Sequence, residues 1–156
     1  MEISNTAQKI TPFLWFDGKV EEAVHFYTSV FKDSTIVSMH RIGPNMMTAT
    51  FRLNGVEFMA LDGGPLFKFS PATSFFVKCS TQEEVDYLWE KLGEGGKTSR
   101  CGWLDDKFGL TWQIIPNALG ELMHTGNPVK SRNVMAAMMK MDKIIIKDLQ
   151  EAYDQE

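Results

Sequence analysis

Apolar and polar positions along the chain change period in the same order twice. The run Ile10-Thr11-Pro12-Phe13-Leu14-Trp15-Phe16 reads as a buried strand with Pro12 near its start. The period then becomes helical. Val20, Ala23, Val24, Tyr27 and Phe31 share one face, and Glu21 and Glu22 occupy the first turn, where the helix dipole favours acids. Lys32-Asp33-Ser34 ends the helix. Strands are predicted at Thr35 to Ile42 and Met46 to Leu53, on either side of Gly43-Pro44-Asn45, and at Val56 to Leu61 behind Asn54-Gly55, a strong hairpin signal. This is one βαβββ unit.

Residues 62–71 are rich in turn formers, yet they carry Leu66, Phe67 and Phe69, so the segment is expected to fold back onto the body. The pattern then restarts with a strand at Thr73 to Cys79. Thr81 and Glu84 form a capping box before the stripe Val85, Leu88, Trp89, Leu92, and Gly93, Gly95 and Gly96 stop the helix. Strands are expected at about Thr98 to Leu104 and at Leu110 to Ile115, the second preceded by Asp105-Asp106-Lys107, which reads as a solvated turn.

The two halves superimpose by position. Glu21-Glu22 falls on Glu83-Glu84 at a shift of 62, which places Phe13 on Phe75, and Gly55 falls on Gly109 at a shift of 54, which places Met59 on Gln113. The shorter shift implies trimmed middle strands in the second unit. A unit of this size cannot bury its own sheet face, so two copies are expected to share one domain, residues 1–156, with modules at about 9–62 and 72–116 and a tail at 117–156. The tail carries helical stripes at Ala118, Leu119, Leu122 and Met123, then Val134, Met138 and Met141, then Ile145, Leu149, Ala152 and Tyr153. Its methionines read as flexible packing material, in the tail core or a dimer contact.

Strand parity sorts the faces. Across Asn54-Gly55, Leu53 opposes Val56, Arg52 opposes Glu57, Phe51 opposes Phe58 and Thr50 opposes Met59. Phe51, Leu53, Val56 and Phe58 therefore meet the helix, and Thr48, Thr50, Arg52, Glu57, Met59 and Leu61 line the other face. In the second unit Thr111, Gln113 and Ile115 fall on that other face, and Pro12, Leu14 and Phe16 are matched with Ser74, Phe76 and Lys78 as its first-strand residues. Arg52, Met59, Phe76, Trp103 and Gln113 are the candidate ligand contacts, with Phe67 and Phe69 joining Trp103 in an aromatic wall. Glu57 is a candidate general base if burial raises its pKa, and an ion pair with Arg52 is the plainer reading. Cys101 is a candidate nucleophile if a nearby cation activates it, against the plainer reading of a spectator thiol.

Composition narrows the function classes. A net charge of −4 with no basic run disfavours nucleic acid. The apolar runs fall short of the roughly 20 residues a membrane span needs, and the first residues have no leader pattern, so a cytoplasmic protein without a membrane partner is expected. Cys79 and Cys101 have no CxxC spacing and are expected as reduced thiols.

Paired βαβββ units, together with Phe13-Leu14-Trp15-Phe16-Asp17-Gly18, Asp62-Gly63-Gly64-Pro65, Cys101-Gly102-Trp103-Leu104, Asp106-Lys107-Phe108-Gly109-Leu110-Thr111-Trp112-Gln113-Ile114 and Met141-Asp142-Lys143-Ile144, resemble the PhnB-like family, also labelled 3-demethylubiquinone-9 3-methyltransferase-like. It lies in the vicinal oxygen chelate superfamily of glyoxalase I, extradiol dioxygenases and bleomycin-resistance proteins. The resemblance runs from about Ile10 to Tyr153. It implies an α+β fold whose two units form a cupped mixed sheet holding a small, partly apolar molecule on its concave face, in a homodimer. It also implies metal positions on the first and last strands of each unit, here about Pro12, Met59, Ser74 and Gln113. Of these only Gln113 is a plausible ligand, so no cofactor is expected and a divalent metal is disfavoured. The alternative is a metal-dependent isomerase, lyase or dioxygenase using Gln113 and Glu57. Methyl transfer ranks third, because no GxGxxG turn is present and Gly93-Glu94-Gly95-Gly96 closes a helix instead of opening one.

Overall fold

Two four-stranded mixed sheets, each packed on its own helix, follow one another along the chain in the computed structural model, which describes residue 3 and residues 6–156. The chain divides into two units, residues 1–69 and 70–156. In the first, β1 (Phe13–Phe16), α1 (Val20–Val30), β2 (Thr35–Gly43), β3 (Met46–Leu53) and β4 (Val56–Asp62) make a sheet of order β1-β4-β3-β2. In the second, β5 (Ser74–Cys79), α2 (Gln82–Gly93), β6 (Lys97–Thr98), β7 (Trp103–Asp105) and β8 (Thr111–Pro116) make the matching order β5-β8-β7-β6. In each sheet the first strand pairs parallel with the last and the other pairs are antiparallel.

The hairpin register is the one the Asn54-Gly55 turn predicts. Asn54 and Gly55 both have positive φ, 49° and 83°, as a two-residue turn matched to strand twist requires. Leu53 opposes Val56, Arg52 opposes Glu57 and Thr50 opposes Met59. Phe51 stacks between Tyr27 of α1 and Phe58, at centroid distances of 6.4 and 5.5 Å, which fixes the α1 side of this sheet.

The first strand departs from expectation. Phe13 opposes Met59 and Trp15 opposes Leu61, so Phe13 and Trp15 lie on the face away from α1, while Leu14 and Phe16 are buried on the α1 side. The expected assignment of Pro12, Leu14 and Phe16 to the outer face is therefore reversed. Three residues, Asp17-Gly18-Lys19, separate β1 from α1, whereas only Ser80 and Thr81 separate β5 from α2. A shift of 62 that aligns the helices thus misaligns the strands by one residue, and one residue inverts a strand's faces.

The second unit differs from the reading in two places. Thr98 to Leu104 is not one strand: β6 and β7 form a tight antiparallel pair, with Lys97 opposite Asp105 and Thr98 opposite Leu104, turned by Ser99 to Gly102. Nor is Asp105-Asp106-Lys107 a wholly solvated turn. Asp106 is buried; its Oδ1 accepts from the N–H groups of Phe108 and Leu110 at 2.8 and 3.1 Å, and its Oδ2 accepts from the Trp112 indole at 2.9 Å. Half of the expected capping box at α2 forms: Thr81 accepts from the Glu84 N–H, while the Glu84 carboxylate accepts from the N–H of Ser80, one residue before the cap.

The loop after β4 folds back in part, through Phe67 and Phe69, while Leu66 stays 75% exposed. Phe67 meets Trp15 edge-on at 5.1 Å, and Phe69 meets Phe16 at 5.2 Å. These two rings have partners in the first unit, a structural use that the expected wall with Trp103 did not include.

The tail forms α3 (Asn117–Met123), α4 (Pro128–Met138) and α5 (Ile146–Asp154). Leu119, Val134, Ile144 and Leu149 are buried together with Ile115 of β8, and Met123, Met138 and Met141 pack around them. Methionine serves here as packing material, although Met135 and Met139 remain exposed. Among the described residues no helix is long and apolar enough to cross a membrane.

Candidate functional site

Each sheet has one face turned away from its unit's βαβ helix, and the register places the sequence-predicted contacts on these faces. In the second unit Phe76, Gln113 and Trp103 form a single row across β5, β8 and β7. Phe76 is 55% exposed, and Gln113 and Trp103 are half-buried. The Gln113 amide is held in place because its Nε2 donates to Ser74 Oγ at 2.9 Å. One row toward the strand starts, Thr111 donates to Asp105 at 2.6 Å. Toward the other end Ile115 joins the tail core, so this residue, expected to line the open face, is packing surface instead.

In the first unit Arg52 and Met59 lie in adjacent rows of one face. The rows across β2, β3, β4 and β1 read Ser38, Thr50, Met59, Phe13 and His40, Thr48, Leu61, Trp15. Thr50 and Thr48 are buried, Met59 and Leu61 half-buried, and His40 exposed. Arg52 Nη2 meets Glu57 Oε1 at 3.3 Å, so Glu57, 5% exposed, forms the ion pair that the plainer reading predicts. The Glu57 backbone is bound on its other side by Gln8, whose amide accepts from the Glu57 N–H and donates to its carbonyl, both at 3.0 Å. Glu57 is thereby built into the sheet edge. Phe13, Trp15 and Ser38 belong to this face but escape sequence reading: the first two through the one-residue offset in β1, the third because β2 bulges between Ile36 and Ser38.

The two thiols stand in different surroundings. Cys79 is buried, and burial, with the nearby Glu84 charge, pushes its thiol up to about 12, which makes it unreactive near neutrality. Cys101 is half-buried in the β6–β7 turn with φ 60°, and its N–H donates to the Met141 carbonyl at 2.8 Å. Its backbone thus anchors the tail.

The donors at the superfamily's metal positions do not suit a divalent cation. Met59 offers a thioether, and the Pro12 carbonyl is taken by the Met59 N–H at 2.9 Å. Phe13, not Pro12, is the residue beside Met59 on the face. Ser74 and Gln113 are hydrogen-bonded to each other. Hard and borderline ions need converging carboxylate or imidazole groups, and among the described residues no group of three or more His, Cys, Asp or Glu is placed to hold one.

A pocket of 440 Å³ in the first unit, at the start of α1, includes Asp17, Glu21, Arg41, Asn45 and Asp62 and none of the predicted contacts. Its buried carboxylate has a structural role. Asp62 Oδ1 accepts from the Lys19 and Val20 N–H groups at 2.8 and 3.0 Å, and Oδ2 accepts from the Met47 N–H at 3.3 Å. Asp62 therefore caps α1 from the end of β4.

A family model described as 3-demethylubiquinone-9 3-methyltransferase matches residues 8–115. The chain is similar to the solved PhnB protein from Bacillus cereus at 44% identity, over 70% of this chain and 99% of that one, with TM-score 0.66. Protein PA1353 from Pseudomonas aeruginosa matches at 21% identity, over 70% and 98%, with TM-score 0.62. A fosfomycin resistance protein, FosX from Listeria monocytogenes, complexed with Mn(II) and sulfate, matches at 11% identity, over 69% and 89%, with TM-score 0.53. These last two likenesses concern the fold alone. No functionally curated protein matches the chain. The family match stops at residue 115, so the resemblance read as far as Tyr153 is supported over the two βαβββ units and not over the tail. The chain belongs to the 3-demethylubiquinone-9 3-methyltransferase family, also called PhnB-like, within the vicinal oxygen chelate superfamily, and has that superfamily's α+β fold of paired βαβββ modules.

Proposed function

We propose that the chain binds a small, partly apolar molecule against the sheet face of the second unit that carries Phe76, Gln113 and Trp103. The observation that carries this reading is the row Phe76–Gln113–Trp103. An exposed ring and a half-buried indole flank an amide whose orientation is fixed by Ser74, and small-molecule sites typically combine an apolar lining with a few positioned polar groups. Methyl transfer has less support. Both sheets lack the doubly wound parallel order that presents a nucleotide-type cofactor, and Gly93 ends α2 instead of opening a helix.

Titration of the full chain with 2-naphthol, followed by NMR, tests the reading. The Gln113 side-chain amide and the Trp103 indole signals should move together, and Gln113→Leu should weaken binding by roughly tenfold, about 1.4 kcal/mol. Shifts confined to other parts of the chain would sink it. The metal-dependent alternative draws on FosX, whose structure contains Mn(II). For that alternative, purified chain must carry near-stoichiometric divalent ion, and Glu57→Ala must release it. Our reading expects substoichiometric metal and a Tm unchanged by chelator.

A further inference from the structure

The tip of the first unit's hairpin, Asn54-Gly55, places a nucleophile beside an electrophile and restrains neither. Both residues are exposed and lie outside the ladder, which ends at Leu53 opposite Val56. Among the described residues neither the Asn54 carboxamide nor the Gly55 N–H has a hydrogen-bond partner. The Gly55 nitrogen follows Asn54 directly, so its attack on the side-chain carbonyl carbon closes a five-membered ring. Glycine has no Cβ to shield that nitrogen.

Comparable sequences elsewhere in the chain are held back. Asp62-Gly63 has the same spacing, but the Asp62 carboxylate accepts from the Lys19, Val20 and Met47 N–H groups, and the Gly63 N–H donates to the Phe16 carbonyl at 2.9 Å. Asp17-Gly18 is exposed, yet a carboxylate ionised near neutrality is a poor electrophile. Asn127 caps α4 and is followed by Pro128, which has no N–H. Asn117 and Asn133 lie in helices, Asn133 ahead of the buried Val134, and Asn45 precedes Met46, whose side chain crowds the nitrogen.

We propose that Asn54 is a site of spontaneous deamidation, with water as the only co-reactant. The Gly55 nitrogen attacks Cγ of Asn54 and gives up its proton, the bond from Cγ to the side-chain nitrogen breaks, and ammonia leaves behind a cyclic imide. Water then opens the imide at either carbonyl. Opening at Cγ gives aspartate; opening at the main-chain carbonyl gives isoaspartate, with the chain now running through Cβ and Cγ. Asp-Gly suits the same two-residue turn, so the aspartate form keeps the hairpin. The isoaspartyl form adds a main-chain carbon to a turn whose length sets the register, beside the pairs Leu53–Val56 and Arg52–Glu57.

The test incubates the full chain in mildly alkaline buffer, folded or in urea, and maps the tryptic peptide Leu53–Lys68 against an unincubated sample by mass spectrometry. In the folded chain the mass gain of an amide turned carboxyl should accumulate at Asn54 at least about tenfold faster than at Asn45, Asn117 or Asn133, where the next residue carries a side chain. Asn54→Gln, which needs a larger ring, should abolish the gain. Asn54→Asp should keep the parent Tm, whereas the isoaspartyl fraction, separated by chromatography, should lose hydrogen-exchange protection at Leu53 and Val56. A gain seen only in urea would mean that the folded turn protects Asn54, and equal rates at the other asparagines would mean that the turn selects nothing; either result overturns the proposal. An isoaspartyl fraction with full protection at Leu53 and Val56 overturns its claimed effect on the hairpin.

Discussion

The two units share a strand order but are closed by different means, and the difference shows what the second, with its shorter middle strands, lacks. The first has strands of 9, 8 and 7 residues in β2, β3 and β4, joined by a two-residue turn. Its helix start is capped by Asp62 from the far end of β4, so strand, helix and the neighbouring β3 are tied by one carboxylate. In the second unit β6 and β7 have 2 and 3 residues. Its buried carboxylate, Asp106, accepts from the Phe108 and Leu110 N–H groups of the local turn and from the Trp112 indole. The tail provides the rest. Cys101 and Gly102 donate to the Met141 and Asp142 carbonyls at 2.8 Å, and the Gln82 side chain donates to the Ile144 carbonyl and accepts from the Ile146 N–H. A Cβ at Gly102 would sit 2.8 Å from the Ile114 carbonyl oxygen and 3.2 Å from Ile144, so this anchor needs glycine. Trimming two strands leaves backbone groups and apolar surface uncovered, and the appended helices cover them.

Removing the first unit's tie is the severest test of this contrast. Asp62→Ala leaves the Lys19, Val20 and Met47 N–H groups without their acceptor, at a cost on the order of 4 kcal/mol given the penalty for each unmet buried donor. Urea unfolding should show the loss, and hydrogen exchange should show the Val20 and Met47 amides losing protection first. Asp62→Asn, which keeps one acceptor oxygen, should recover part of it. If Asp62→Ala costs less than Asp106→Ala, the contrast between a unit-wide tie and a local turn is wrong.

The tail's role is tested at Ile144, which is fully buried in the tail core beside Gly102. Truncation to Ala should cost about 3 kcal/mol, from lost transfer free energy and the cavity left behind. The informative readout is where protection is lost. Hydrogen exchange should accelerate in β6, β7 and the first turn of α2 as well as in α4 and α5. If β6 and β7 keep their protection, the tail is not their buttress.

How far these features can be read from sequence follows from how local each cause is. The Asn54-Gly55 turn fixes its hairpin register by backbone conformation alone, and that register then assigns every side chain of β3 and β4 to a face. The Thr81 cap on the Glu84 N–H is equally local. The row Phe76–Gln113–Trp103 follows once β8 has its parity, although its two pairings span different sequence distances. What escapes depends on counts or on distant partners. One extra residue before α1 inverts β1 and hides Phe13 and Trp15; a bulge hides Ser38. Asp62 reads as a turn acid because the backbone groups it binds, 15 to 43 residues away, become neighbours only after folding. Asp106 does have the local turn partners expected of a turn acid, while its burial and its bond to the Trp112 indole are not visible in the turn pattern. The tail's helical stripes are visible, but its bonds to Gln82 and Gly102 are not, since no periodicity encodes them.

The smallest expected effect concerns the surface side of the tail's attachment. Lys143 meets Asp86 of α2 at 2.8 Å, and the hydrogen bond from Lys143, followed by that from Gln82, lowers the Asp86 pKa below the ordinary aspartate value. A carboxylate with a lowered folded-state pKa contributes stability that is present above its unfolded value and is lost as pH falls through the folded one. Stability should therefore decline with acid below the usual aspartate range. Asp86 is about half exposed, so water screens the pair and its share stays below about 1 kcal/mol. An NMR titration of the Asp86 carboxyl should show its pKa return toward the ordinary value in Lys143→Met, with most of the difference lost at about 1 M salt, where the Debye length is near 3 Å. An unmoved titration would mean that Gln82 alone sets the shift. The attachment of the tail to α2 would then rest on Ile144 and the Gln82 amide, which places it among the buried contacts that acid and salt leave intact.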